Sequence, residues 1–280
     1  MIKACFQRPE VKVNTPQGND EMRQLNIVLI FGSAPDVTEI SHWDLSIFTS
    51  CIAINNAWKV TPDWTHLIFP EDFPIDRRPH LPLKTHQQWV TANEFVPHQN
   101  KFGGFIYAGG TMSFTAGYWA LGALKPDIIA YIGCDMVYST EAGRTSHFYG
   151  HGTADPLRDD MTLQSLEAKS NRMMAMANMQ NCAVVNLSSL PESRLTFPRK
   201  TFADIQQVVS HKEMITHQNH LFDTQKINQA LLAETELGYL VASGRYWESV
   251  NHFDPEQLRK IDDIWNNSGN QNSRELVLQN

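Results

Sequence analysis

The side chains best equipped for chemistry crowd one stretch of the chain. Asp135, Tyr138, Glu141, Arg144, His147, Tyr149 and His151 follow one another between positions 135 and 151. Together they form an acid/base, phenol and cation set, and the imidazoles titrate near neutral pH. The segment just before them, Asp127–Ile132, is nearly all apolar and closes on Gly133, the pattern of a central strand covered on both faces of a parallel sheet. Open α/β sheets bind ligands beyond the carboxyl ends of their strands, so this polar loop is expected to belong to an active site.

Two further turns have the composition of an anion cradle. Asn26–Phe31 reads as a buried strand that runs into Gly32-Ser33-Ala34-Pro35-Asp36, with a helix expected to begin around Asp36 to Thr38. Gly109-Gly110-Thr111-Met112-Ser113 repeats the arrangement before a helix expected from about Ser113 to Leu124. Backbone N–H groups and a helix dipole at such turns attract phosphate or carboxylate, although an ordinary strand-to-helix turn has the same composition. Neither turn is GxGxxG or GxxxxGK[ST], so neither NAD nor a P-loop is inferred. Ser50–Ile54 is a second strand ending in Asn55-Asn56-Ala57-Trp58. Two amides and an indole there can grip a base or sugar, or simply form a turn with a packed tryptophan.

The elements that must position these residues alternate between strand and helix. Strands are expected near 26–31, 50–54, 66–69, 105–107, 127–132 and 183–187, and residues 70–104 read as loops and short helices. In that region His80, His86 and His98 lack metal-ligand spacing and are expected at the surface. Asp159 or Asp160 is expected to cap a helix running to about Gln180, with Leu163, Leu166, Met173 and Ala177 facing the sheet and its methionines filling core. Phe202 to about Trp265 reads as helical without a strand, and the tail from Asn266 as frayed. The expected fold class is therefore α/β: a mostly parallel sheet with helices on both faces, plus a C-terminal helical appendage.

With 280 residues, 42% hydrophobic and 19% charged, the chain can bury a sizeable core. A formal charge of -7 with no basic stripe argues against nucleic acid as a partner. Cys5, Cys51, Cys134 and Cys182 are scattered without CxxC spacing and read as reduced core residues. The first residues show no signal peptide, and no stretch is apolar enough to span a membrane, so a cytoplasmic location is expected.

Five short motifs, in order, resemble the bacterial sialyltransferases that have a single Rossmann-like domain. Gly32-Ser33-Ala34-Pro35 resembles their GNGPS-like turn, Asn55-Asn56 a CN strand end, and Thr111-Met112-Ser113 a TSG helix start. Gly133-Cys134-Asp135 is similar to a GID strand end, and His147-Phe148-Tyr149-Gly150-His151 to an HYxGH loop. The resemblance covers roughly residues 26 to 190; Ser33 stands where asparagine is usual, and the loop between Asp135 and His147 is shorter than in those enzymes. The stretch 133–150 also resembles the GQDLAYxxGxxHA signature of the related six-hydroxymethylpterin diphosphokinase-like family, which includes motility-associated flagellin glycosyltransferases.

The resemblance implies a CMP-activated nonulosonic acid as donor, transferred with inversion to a hydroxyl of a glycan or protein acceptor. It implies His151 as general base, Tyr138 and Tyr149 as hydroxyls that stabilise the departing phosphate, and Arg144 and His147 at the donor sugar or phosphate. Gly32, Ser33, Ala34, Asn55, Asn56, Thr111, Ser113 and Asp135 would hold the nucleotide. On this reading residues 1–25 are an N-terminal arm, 26–200 the nucleotide-sugar-binding catalytic domain and 201–280 the helical C-terminal region. No cofactor is expected, and because no DxD pair is present, no metal. Peripheral membrane association through the acceptor and a homo-oligomer are further partner expectations. The related diphosphokinase-like family implies instead ATP and Mg²⁺, with Asp135, Glu71 and Asp72 as metal ligands, and a non-catalytic nucleotide- or glycan-binding module is a third reading.

Overall fold

A computed structural model describes residues 24–138, 145–150 and 160–269. Its centre is a parallel sheet of six strands: β1 (Ile27–Phe31), β2 (Ser50–Ile54), β3 (His66–Ile68), β4 (Gln88–Val90), β5 (Ile128–Ile132) and β6 (Ala183–Asn186). They lie in the order β4-β3-β2-β1-β5-β6, so the winding reverses between β1 and β5. That order, with helices on both faces, makes the fold an α/β, Rossmann-like one.

Period-2 alternation assigns each side chain to a face. Val28, Ile30, Ile52, Ile54, Ile68, Ile129, Tyr131 and Val184 pack under α1 (Ala92–Asn100), α2 (Phe105–Ala108), α3 (Met112–Ala123) and α4 (Leu166–Met179). Ile27, Leu29, Phe31, Ala53, Leu67, Ile128, Ala130 and Val185 face the 3-10 helix Pro35–His42, α5 (Phe202–Gln206) and α6 (Lys212–His220). The segment α3 has no polar face, and Ser113–Leu121 is buried throughout, as a helix apolar all round must be. Its cover comes partly from α7 (Thr224–Leu237) and α8 (Pro255–Ser268), whose Ile227, Leu258, Ile261 and Trp265 join the same core.

Some sequence expectations are corrected. The run at 105–107 is helical, not a strand: Gly103, Gly104 and Gly109 bracket it with φ of 91, 77 and 88, and all four residues of α2 are buried, so no alternation marked a strand. The sheet position it was expected to fill is taken by β4, a three-residue edge strand in the stretch read as loops. Order also continues past Asn266, because α8 extends to Ser268, which is buried and accepts a 2.8 Å bond from the Asp223 N–H. The helix read as capped by Asp159 or Asp160 begins in two steps. Asp160 caps a short 3-10 turn at Met161–Leu163, and Ser165 then caps α4. Asp159 lies outside the described residues, as do Cys5, most of the N-terminal arm and the tail beyond Gly269. Among the described residues, no helix is long and apolar enough to cross a membrane.

Candidate functional site

The reversal between β1 and β5 forces two backbones together at the strands' carboxyl ends. A Cβ on Gly32 would stand 2.4 Å from the Gly133 carbonyl oxygen, and Gly133 itself has φ +66 with Val37 against it. Bonds from Gly32 N–H to the Ile132 carbonyl and from Ala34 N–H to the Gly133 carbonyl, each 2.9 Å, lock the two turns. Above them opens a cleft of about 690 Å³, the size of a small-molecule site.

Most of the residues singled out by sequence converge on this cleft. Gly32, Ser33 and Ala34 come from the end of β1, Asn55 and Asn56 from the end of β2, and Thr111 and Ser113 from the start of α3. Thr111 is the N-cap of α3, accepting from the Phe114 N–H at 3.3 Å, so the positive end of that helix dipole meets the cleft. The side-chain oxygens of Asn55 and Asn56 and the hydroxyl of Ser113 are buried with no hydrogen-bonding partner among the described residues. Such groups cost free energy until something satisfies them. Asn55 and Met136, which both line the cleft, hold φ of 51 and 54, the left-handed region that residues other than glycine rarely occupy.

One wall is aromatic. Tyr138, His147 and Tyr149 line the cleft and lie against one another, with ring centroids 5.7 Å apart for Tyr138–His147 and 5.0 Å for His147–Tyr149. The Phe148 N–H donates 2.9 Å to the Ser33 carbonyl, docking this segment on the first glycine turn. His147 is 2% exposed, its Nδ1 2.8 Å from the Ser146 hydroxyl, and burial pushes its imidazole below the ordinary histidine range, so it is neutral at pH 7. Burial likewise pushes the Tyr138 phenol up to about 12, which keeps it a proton-bearing donor. The described cysteines, Cys51, Cys134 and Cys182, are buried and free, and burial raises all three thiols. Cys134 lines the cleft, but as a protonated thiol and not a ready nucleophile.

Not every expected residue reaches the cleft. Asp135 is 1% exposed and turns away, accepting from the Asn186 amide at 3.3 Å. The Trp58 indole, which could have stacked on a base, packs on the sheet's other face and donates 3.0 Å to the Arg77 carbonyl. His151, Arg144 and Glu141 lie outside the described residues. Among the described residues, no three His, Cys, Asp or Glu side chains group to hold a metal ion.

Sequence reasoning missed a whole wall of the site. Ser243, Gly244, Arg245 and Trp247, from the C-terminal helical region, line the cleft opposite Glu71, Asp72 and Arg77. Gly244-Arg245-Tyr246-Trp247 offered the one available signal: an aromatic pair beside glycine and arginine inside an otherwise polar helical stretch. No protein-family model, curated protein or solved structure matches this chain.

Proposed function

We propose that the chain is a glycosyltransferase that moves a nonulosonic acid from a CMP-activated donor to a hydroxyl of a glycan or protein acceptor. The observation that carries this reading is the set of partnerless oxygens at Asn55, Asn56 and Ser113, which line one cleft together with the start of α3. Amide oxygens are acceptors suited to the exocyclic amine of cytosine or to ribose hydroxyls. The start of α3, with Thr111 and Ser113, suits the single phosphate of CMP. Tyr138, held as a neutral phenol, can donate to the phosphate oxygen as the sugar–phosphate bond breaks. The acceptor hydroxyl attacks the anomeric carbon from the opposite side, giving inversion, and its proton passes to an imidazole. His151, assigned that role by family resemblance, comes two residues after Tyr149. The charge developed on the phosphate is then met by helix dipole, hydroxyls and phenol, without a metal. A cytoplasmic location, expected from the scattered reduced cysteines, belongs to the same reading.

Of the three carboxylates that an ATP- and Mg²⁺-dependent diphosphokinase reading would enlist, Asp135 turns away from the cleft and Glu71 is paired with Arg245 at 3.0 Å. Thermal unfolding with CMP, CDP, ATP and ATP plus Mg²⁺ separates the two readings. CMP and CDP are expected to stabilise the protein without Mg²⁺, by about 2.7 kcal/mol at a hundredfold excess over Kd. A shift obtained only with ATP and Mg²⁺ would overturn the transferase proposal.

A further inference from the structure

The wall contributed by the C-terminal region has features that nucleotide binding does not use. Trp247 is 54% exposed, although its neighbour Tyr246 is 3% exposed. The two rings meet edge-on at 5.5 Å, so Tyr246 holds the indole in place while leaving a face of it at the cleft. Tyr246 in turn is pinned: its hydroxyl donates 2.6 Å to Asp160, which also accepts 2.8 Å bonds from the N–H and hydroxyl of Thr162. Thr162 accepts 3.0 Å from the Gly110 N–H, and a Cβ on Gly110 would come within 2.5 Å of the Tyr246 hydroxyl. Trp247 is thus tied, one residue from that contact, to the turn that leads into Thr111 and the start of α3. Gly244, with φ +79, lets the same segment lie against Val96 and Phe105.

Across the cleft, Arg245 pairs with Glu71 at 3.0 Å, with both side chains about half exposed. An exposed pair of this kind contributes little to stability and exchanges partners at small cost. The guanidinium donates in a planar fork and the carboxylate accepts in one, the two geometries that match neighbouring hydroxyls on a ring. Arg245 and Arg77 offset the charges of Glu71 and its neighbour Asp72 along this wall, so it carries no net charge and suits an uncharged polyol.

Resting on the transferase reading, we infer that Trp247, Arg245 and Glu71 form the acceptor subsite, which takes a neutral sugar stacked by its C–H face on the Trp247 indole. Arg245 and Glu71 bind its hydroxyls. The tie to Gly110 brings the sugar beside the departing phosphate, where the attacking hydroxyl is needed.

Saturation-transfer NMR on the full chain with lactose, N-acetyllactosamine and glucose, with and without CMP, tests this subsite directly. At least one sugar is expected to give signals on its C–H protons, reduced tenfold or more in Trp247→Ala and partly restored in Trp247→Phe. Melting temperatures of the variants establish that each is folded, and because the indole is half exposed both are expected to melt near the unmutated protein. Undiminished signals in folded Trp247→Ala, or no signal from any sugar with the unmutated protein, would overturn the inference. Sugar signals that depend on Trp247 in a protein that CMP fails to stabilise would sink the donor reading and leave the sugar subsite standing.

Discussion

At the scale of single residues, two histidines four positions apart in the sequence carry different expectations. His147 is buried between two tyrosine rings, with Ser146 on its Nδ1, and burial keeps it neutral. A side chain so enclosed is suited to holding the segment against the Ser33 turn. His151 follows Gly150, which holds a φ of 101, in the sequence. His151→Ala is expected to lower turnover on a CMP-sialic acid donor by roughly 100- to 10,000-fold, the usual contribution of a general base. His147→Ala is expected chiefly to reduce thermal stability. Near-normal turnover in the first variant would refute the assignment and leave the site without a named base, whereas a loss of the same size in an equally stable second variant would point to His147.

At the scale of elements, β3 carries a built-in pH dependence. His66 is 6% exposed, its ring tilted against Trp119 with centroids 4.9 Å apart, with Thr65 on Nδ1 and Gln88 on Nε2. Burial pushes its imidazole down to about 4. The unfolded chain, with histidine near ~6.5, therefore binds the proton first, and stability present above that pH is lost as pH falls toward 4. Between pH 7.5 and 4.5 this group alone should remove roughly 2 to 3 kcal/mol, since each tenfold difference in proton affinity between the folded and unfolded chain corresponds to about 1.4 kcal/mol. Urea unfolding at the two pH values should show a smaller difference for His66→Gln than for the unmutated chain. Equal differences would mean that His66 is not the group responsible. The pairing of β4 with β3 depends on this same neighbourhood, because Gln88 reaches His66 across the strand pair.

At the scale of the molecule, the C-terminal helices are joined to the sheet's cover by buried charge. Arg172 on α4 makes a two-pronged contact with Glu234 on α7 at 2.7 and 2.8 Å, and also donates to the Tyr118 hydroxyl and the Phe102 carbonyl. Trp265 on α8 donates 2.8 Å to the same carboxylate, and Lys169 meets Asp262 at 2.7 Å nearby. Burial alone would push the Arg172 guanidinium down, but Glu234 and Tyr118 hold it above its usual range. Glu234→Gln leaves that cation uncompensated, and a broken buried pair costs about 3–5 kcal/mol. Urea unfolding is expected to show a loss of that size in a single transition, because α7 and α8 share a core with the strands. A loss below about 1 kcal/mol would show that the pair is not a major tie between the helices.

The sequence by itself determined the parallel α/β class, because apolar strand runs closed by glycine turns have few other solutions. It also pointed to the glycine and amide turns of the cleft, since parallel strands collect their carboxyl ends on one edge whatever their spacing along the chain. Local pattern could not separate the four apolar residues of α2 from a strand, nor reveal β4, whose three residues form a strand only by pairing with β3. It could not show that Asp135 turns toward Asn186, because direction at a strand end depends on what packs behind it. Nor could it place Trp247 and Arg245 opposite Glu71, a meeting set by buried contacts between helices far apart in the chain and therefore decided only by tertiary structure.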